Sequence, residues 1–176
     1  MDLIDVVNEQ DEVISSNARK KIHKLGLLHR EIHVWFFDEN KNIFFQKRGL
    51  LKNSPGLLDA SVGGHVDSGE FYEEAAVREI KEEVGIKITQ QDLFLLKKFK
   101  GFYQHNNKKN NFIRSIFIYK IPVTELKAQE SSDKNGGFEK ISLKDLSKII
   151  KTTNFKFLKF ILEDEIPIVL DYLNSN

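Results

Sequence analysis

The segment around residues 63–86 constrains this chain most. Phe71, Ala75, Ala76, Ile80 and Val84 recur near helical spacing, with Gly63-Gly64 ahead of them and Gly85 behind. The spacing predicts an amphipathic helix over Phe71–Val84 that Gly85 stops. Its apolar stripe needs a covering layer. The flanking sequence offers strands: Leu28–Phe37, Ile43–Lys47 and a short Leu58–Val62 before it, then aromatic and β-branched Leu93–Tyr103 and Phe112–Ile121 after it. Strands on both sides of a helix imply an α/β or α+β sandwich around a mixed sheet.

The remaining elements fit around that unit. Leu3–Val7 and Glu12–Ile14 flank the polar turn Asn8–Asp11 and read as a hairpin. Ala18–Leu25 reads as a short helix stopped by Gly26. Residues 105–110 form a polar tip between the two long strands, and 50–57 a loop holding Pro55 and Gly56. Ser142 with Asp145 three residues on predicts a helix start before Leu143–Ile150. Phe155–Leu162 and Pro167–Leu173 also read as helical, with Pro167 in a first turn. There is no internal repeat and no Pro/Gly-rich linker, and 176 residues suit one domain over 1–176, with 1–27 as an appendage.

Composition excludes several chemistries. Lys+Arg is 27 against Asp+Glu 26, so no basic excess marks a nucleic-acid binder. The count of cysteines is zero, which removes disulfides, thiol nucleophiles and thiolate metal sites. The acidic start MDLIDVVNEQDEVISS lacks the pattern of a secretory signal, and no apolar run is long enough to span a bilayer. The expectation is a cytoplasmic protein.

Charge is concentrated where the best helix lies. Residues 67–83 hold Asp67, Glu70, Glu73, Glu74, Glu79, Glu82 and Glu83 against Arg78 and Lys81. A helix puts Glu79, Glu82 and Glu83 on one face at i, i+3 and i+4, where each like-charge pair costs roughly 0.2–0.5 kcal/mol. A bound divalent cation would reverse that effect. Oxygen donors alone suit a hard ion, Mg²⁺ or Mn²⁺, and a carbonyl at Gly64 could join the shell. A solvated acidic face is the competing reading. Glu70, Glu74 and Arg78 at i, i+4 and i+8 are spaced for an ion-pair chain.

Gly64, five residues, Glu70, seven residues, then Arg78-Glu79-Ile80-Lys81-Glu82-Glu83-Val84-Gly85-Ile86 matches the Nudix box at every defined position. The chain is thus identified as resembling the Nudix hydrolase family. The resemblance implies an α/β/α sandwich with a mixed central sheet and the box as a loop–helix–loop. It implies metal-dependent cleavage of a diphosphate linkage in a nucleoside diphosphate derivative or related small molecule. Glu79, Glu82 and Glu83 would be metal ligands and catalytic residues, one of them doubling as the base. Arg78 would orient the catalytic glutamate, with Glu70 as its partner and Gly85 closing the box helix. A homodimer is compatible with this reading.

The segments His23–Arg30, His33–Phe37, Phe45–Arg48 and Ser61–His65 resemble the branch related to type 1 isopentenyl diphosphate isomerase, so that with the box the similarity covers roughly residues 20–90. In that enzyme, histidines near positions like 29 and 65 bind metal beside a catalytic Cys and a catalytic Glu. Here Gly63 stands at the Cys position, and residues 100–124 contain no Asp or Glu; Asn111, Phe112 and Arg114 stand where carboxylates would be. Migrating a double bond needs a proton donor and an acceptor, so the hydrolase reading is favoured over an isomerase-like one. A non-catalytic nucleotide-sensing module is a third alternative, against which the intact box speaks. His29 and His65 either line the substrate cleft or pack structurally. His29, Glu31, His33 and Trp35 share one strand face, with Trp35 as core or wall. Lys47 and Arg48 are candidates for phosphate contacts, and Glu130 or Asp133 for an extra carboxylate.

Overall fold

The structure is a computed structural model and describes residues 3–49, 54–105, 107–122, 126–127, 136–152 and 156–176. Glu130 and Asp133 therefore lie outside the described residues. The strands are β1 (Leu3–Val7), β2 (Val13–Ala18), β3 (Leu28–Phe37), β4 (Asn42–Lys47), β5 (Leu58–Asp59), β6 (Val62–His65), β7 (Phe94–His105), β8 (Lys108–Lys120) and β9 (Gly137–Ser142). The helices are α1 (Arg19–Leu25), α2 (Tyr72–Val84), α3 (Leu143–Thr152) and α4 (Ile166–Ser175), with a π-helical turn at Ile161–Glu165 leading into α4.

Strand β3 is the hub. One edge pairs in parallel with β8 over its whole length, Leu28↔Asn111 to Phe37↔Lys120. The other edge meets three antiparallel partners in turn: β1 at Val6↔His29, β6 from Glu31↔His65 to Val34↔Val62, and β4 at Phe36↔Phe44. The sheet is thus mixed. Alternation along β3 feeds two cores. Ile32, Val34 and Phe36 join Tyr72, Ala75, Ala76, Ile80 and Val84 of α2 on one side. Trp35 joins Leu146 of α3 and Ile166, Val169 and Leu173 of α4 on the other. That is the expected sandwich, and Trp35 is core, with no exposed surface.

The box helix forms as its pattern requires. Phe71 is its N-cap, Glu74 Oε2 accepts from the Phe71 amide at 2.9 Å, and Gly85 ends it in the left-handed region at φ 75°. Ser142 caps α3 as read from the sequence, its Oγ accepting from the Asp145 amide at 3.1 Å.

Four local expectations are corrected. Leu58–Val62 is two strands, because the chain leaves β4 after Asp59 and rejoins the sheet on β3 at Val62, with Gly63-Gly64 inside β6. Most of the polar tip is strand: β7 runs to His105 and β8 starts at Lys108, since Asn110 is buried with Nδ2 donating to Glu31 Oε1 at 2.9 Å. Phe157 is extended and bridges Leu58 instead of opening a helix. Strand β9 lies beside β4, from Asn42↔Ser142 to Lys47↔Gly137, where the sequence pattern gives no strand. The N-terminal hairpin is continuous with the main sheet, and Asp5 ties it to the approach to α2 through Ser68 Oγ at 2.6 Å and the Gly69 amide at 3.0 Å.

Candidate functional site

Helix α2 presents a carboxylate cluster organised by one arginine. Arg78 Nε and Nη2 donate to the two oxygens of Glu70 at 2.8 and 2.9 Å, a bidentate pair. Its Nη1 donates to Glu79 Oε1 at 2.8 Å, and Nη2 also reaches the His65 carbonyl at 3.0 Å. Glu74 is absent from this chain of ion pairs; its carboxylate is used in the helix cap. Arg78 hydrogen bonding lowers the Glu70 pKa. Glu79 goes the other way: burial raises its pKa, despite Arg78.

Gly64 explains where Glu79 sits. A Cβ at position 64 would lie 2.1 Å from Glu79 Oε1, so the carboxylate occupies the space a side chain would fill. Glu82 is exposed, and Glu83 faces a large cavity, where Gln46 Nε2 donates to its Oε2 at 3.2 Å. The fit to Mg²⁺ or Mn²⁺ rests on this donor set: a half-buried carboxylate whose ionised state burial disfavours, two further carboxylates on the same helix face, and a glycine that leaves the backbone open.

A second donor cluster stands across β6. One ring nitrogen from each of His23, His29 and His65 lies within 4.8 Å of the other two. His23 Nε2 and His65 Nε2 are 3.0 Å apart. Burial holds the His65 pKa down to about 3, and burial followed by the His29 charge lowers that of His23. Both are therefore neutral in the folded chain, and one Nε2 donates to the other. His29 Nδ1 lies 2.9 Å from the Leu27 carbonyl and donates to it, which turns Nε2 toward Glu31. That Nε2 is buried without a hydrogen-bond partner, 3.4 Å from Glu31 Oε1. An orphaned nitrogen facing a carboxylate oxygen fits a cation between them. An imidazole set of this kind suits a borderline ion such as Zn²⁺ better than Mg²⁺.

Behind the histidines lies a buried ion network. Arg114 Nη2 donates to Glu31 Oε2 at 2.6 Å and Nη1 to Glu165 Oε1 at 2.7 Å. Glu165, fully buried, also accepts from Trp35 Nε1 at 3.0 Å and lies 2.8 Å from His33 Nδ1. Burial opposes ionisation of both carboxylates, but Arg114 and the neighbouring imidazoles hold Glu31 well below its usual range, and His33 with Arg114 lowers Glu165. The network and α2 border one cavity of about 1180 Å³, whose lining includes Arg19, Arg48, Gly63, Tyr103, Phe160 and Glu83.

The sequence candidates distribute unevenly around this cavity. Arg48 lines it and pairs with Asp59 at 2.6 Å. Lys47, one residue earlier on β4, is exposed and is not among the cavity residues. His65 lines the cavity, while His29 sits behind it with no exposed surface. Glu79, Glu82 and Glu83 do not converge as tightly as the histidines among the described residues. His23, Arg114 as an ion-pair hub and Glu165 were not read from the sequence. His23 carried a faint signal, six residues before His29 with a Gly26 stop between. Glu165 lies 132 residues from its partner His33 and carried none.

Comparison with known proteins bears on this geometry. The NUDIX domain profile matches residues 27–160. An uncharacterized Nudix hydrolase of Clostridium acetobutylicum is 30% identical over 153 residues, covering 85% of this chain and 74% of that protein. A Photorhabdus laumondii protein named isopentenyl-diphosphate Delta-isomerase 2 is 35% identical over 113 residues, covering 64% of this chain and 60% of its own length. Other curated relatives are matched over about half their length, 54% and 46% in two cases. Among solved structures, DR0079 from Deinococcus radiodurans superposes with a TM-score of 0.70 at 23% identity, covering 92% of this chain and 95% of that one. No helix among the described residues is long and apolar enough to cross a membrane.

Proposed function

The chain belongs to the Nudix hydrolase family, and from that premise we propose that it is a divalent-metal-dependent hydrolase that cleaves a diphosphate linkage in a small molecule, a nucleoside diphosphate derivative or a compound like it. The observation that carries this reading is the Arg78 bridge: bidentate to Glu70 on one side, bonded to Glu79 on the other, with the Glu79 carboxylate set in the space left by Gly64.

In this reading Glu79, Glu82 and Glu83 hold Mg²⁺ or Mn²⁺, with the Gly64 carbonyl as a further donor. When bound, the metal would neutralise diphosphate charge and lower the pKa of a coordinated water. The protein side of the reaction follows from the α2 geometry. Arg78, locked by Glu70, keeps Glu79 in one orientation. Burial has already raised the proton affinity of Glu79, which suits a group that accepts a proton from the attacking water. Glu83 faces the cavity and reaches the substrate side of the helix. Arg48 on the cavity wall would contact phosphate oxygens.

One observation favours a second reading. The His23–His29–His65 cluster is compact, and a relative named as an isopentenyl-diphosphate isomerase is 35% identical over 113 residues. Isomerase-like proton transfer would need groups at Gly63 and on β8, where this chain has no side chain and Arg114. Phosphate release over a panel of nucleotide sugars, dinucleotides, dNTPs and CoA, run beside hydrogen exchange into isopentenyl diphosphate in labelled water, separates the two. Metal-dependent release with no exchange supports the hydrolase; exchange without release overturns it.

A further inference from the structure

His33 has a role that neither the box nor the histidine cluster needs. It is 8% exposed and lines the cavity on the Gly63 side. Its Nδ1 faces both oxygens of Glu165, at 2.8 and 2.9 Å. A carboxylate oxygen accepts, so Nδ1 is the donor, and Nε2 is the ring nitrogen turned to the Gly63 side. No described residue hydrogen-bonds Nε2. The ring orientation is doubly anchored, because Glu165 is itself fixed by Trp35 Nε1 and Arg114 Nη1. Phe160 stands against the ring, with centroids 6.1 Å apart.

Gly63 completes the arrangement. A Cβ there would lie 2.8 Å from His33 Cδ2 and 3.0 Å from Nε2. Any side chain at 63 would push the imidazole back or cover its free nitrogen. The glycine is not explained by backbone conformation, since position 63 is not among the positive-φ glycines. Its smallness serves His33.

We propose that His33 is a substrate-contacting, specificity-determining residue, whose Nε2 accepts a hydrogen bond from an O–H or N–H donor on the non-phosphate part of the substrate, with Glu165 as its positioning residue and Gly63 as the opening through which it acts. The substrate class this selects is a diphosphate bearing a hydroxylated or amino-bearing group, such as a sugar or a base. A purely hydrocarbon diphosphate has no donor to offer. The kinetic part of this inference rests on the hydrolase reading; the tautomer does not.

Two measurements test it. The first is a long-range ¹H–¹⁵N spectrum of the full chain with ¹⁵N-labelled histidine, the His33 signals assigned with His33→Gln. The expected state is Nδ1 protonated and Nε2 bare, and the Nε2 signal moves when a bound panel compound is added with Mg²⁺. The opposite tautomer, or an Nε2 signal that stays fixed while a compound binds, overturns the proposal even if no compound is hydrolysed; lack of hydrolysis alone counts against the hydrolase reading. The second is steady-state kinetics on the best panel substrate. His33→Ala should raise KM about tenfold or more with kcat changed far less, the cost of one buried hydrogen bond left unmade. Gly63→Ala should do the same in wild type and nothing further in the His33→Ala background, since its effect passes through the imidazole. Additive losses, or unchanged KM in His33→Ala, contradict it.

Discussion

Helix α2 and the inner face of β3 border one cavity and carry charge in opposite ways. On α2 the carboxylates outnumber their cations, and the most buried of them, Glu79, is held in a state that burial penalises. At β3 the two buried carboxylates, Glu31 on the strand and Glu165 on the π-helical turn against it, share Arg114 and are favoured as anions. The first region leaves its carboxylates with a single neighbouring guanidinium, Arg78. The second largely compensates itself and positions lone pairs instead. One wall is thus suited to activating water on a diphosphate, the other to recognising what the diphosphate carries.

The sharpest way to break this contrast is Arg114→Met. It leaves Glu31 and Glu165 buried without their guanidinium, and removing one partner of such a network costs about 3–5 kcal/mol. Urea unfolding should show that loss. A change below about 1 kcal/mol would mean the network does not carry its charge as described.

A smaller effect of opposite sign separates the walls by pH. His65 and His23 are neutral when folded, so as pH falls below about 6.5 the unfolded chain takes up protons that the folded one refuses, and stability declines. Glu31 and Glu165 add to the loss at lower pH, because protons must be forced onto carboxylates whose folded pKa is depressed. Glu79 has a raised pKa, so its contribution falls as pH rises. Metal-free Glu79→Gln should therefore be as stable as wild type at neutral pH, or more so, with the difference closing on acidification. Thermal melts in chelator across pH 4–8 check both signs. A Glu79→Gln protein that is markedly less stable at neutral pH would make Glu79 a structural anion.

The smallest effect concerns β4. Lys47→Ala should change stability by less than about 0.5 kcal/mol and leave KM for the best substrate within about twofold, as for an exposed side chain away from a site. Arg48→Ala should weaken KM more, because its guanidinium borders the cavity. Equal effects would mean the substrate reaches further along β4 than the cavity does.

The two walls also differ in how far they could be read from sequence. The α2 wall was legible almost entirely, because Gly64, Glu70, Arg78, Glu79, Glu82, Glu83 and Gly85 sit within one loop and helix, where spacing fixes which side chains share a face. The exception was Glu74, whose spacing also fits a helix cap. The β3 wall is assembled from α1, β3, β6, β8 and the π-helical turn, and its contacts span 42 residues from His23 to His65, 83 from Glu31 to Arg114 and 132 from His33 to Glu165. No local pattern carries such pairings; only the parallel β3–β8 register and the return of the chain through Glu165 create them. Of the fold, the long strands and the box helix were readable, whereas β9 and the split at Ala60-Ser61 depended on which neighbour each short strand would find.

The central claim is that α2 is a metal-dependent water-activating surface. It is tested most directly by phosphate release from the best panel substrate, with Mg²⁺, with Mn²⁺ and with chelator, for wild type, Glu79→Gln and Glu83→Gln. The account predicts activity that requires the metal and a kcat lowered by about 10²–10⁴-fold in each folded variant, the range for removing a group that works on the reacting proton. Turnover that persists in chelator, or a Glu79→Gln protein with near-normal kcat, would contradict it.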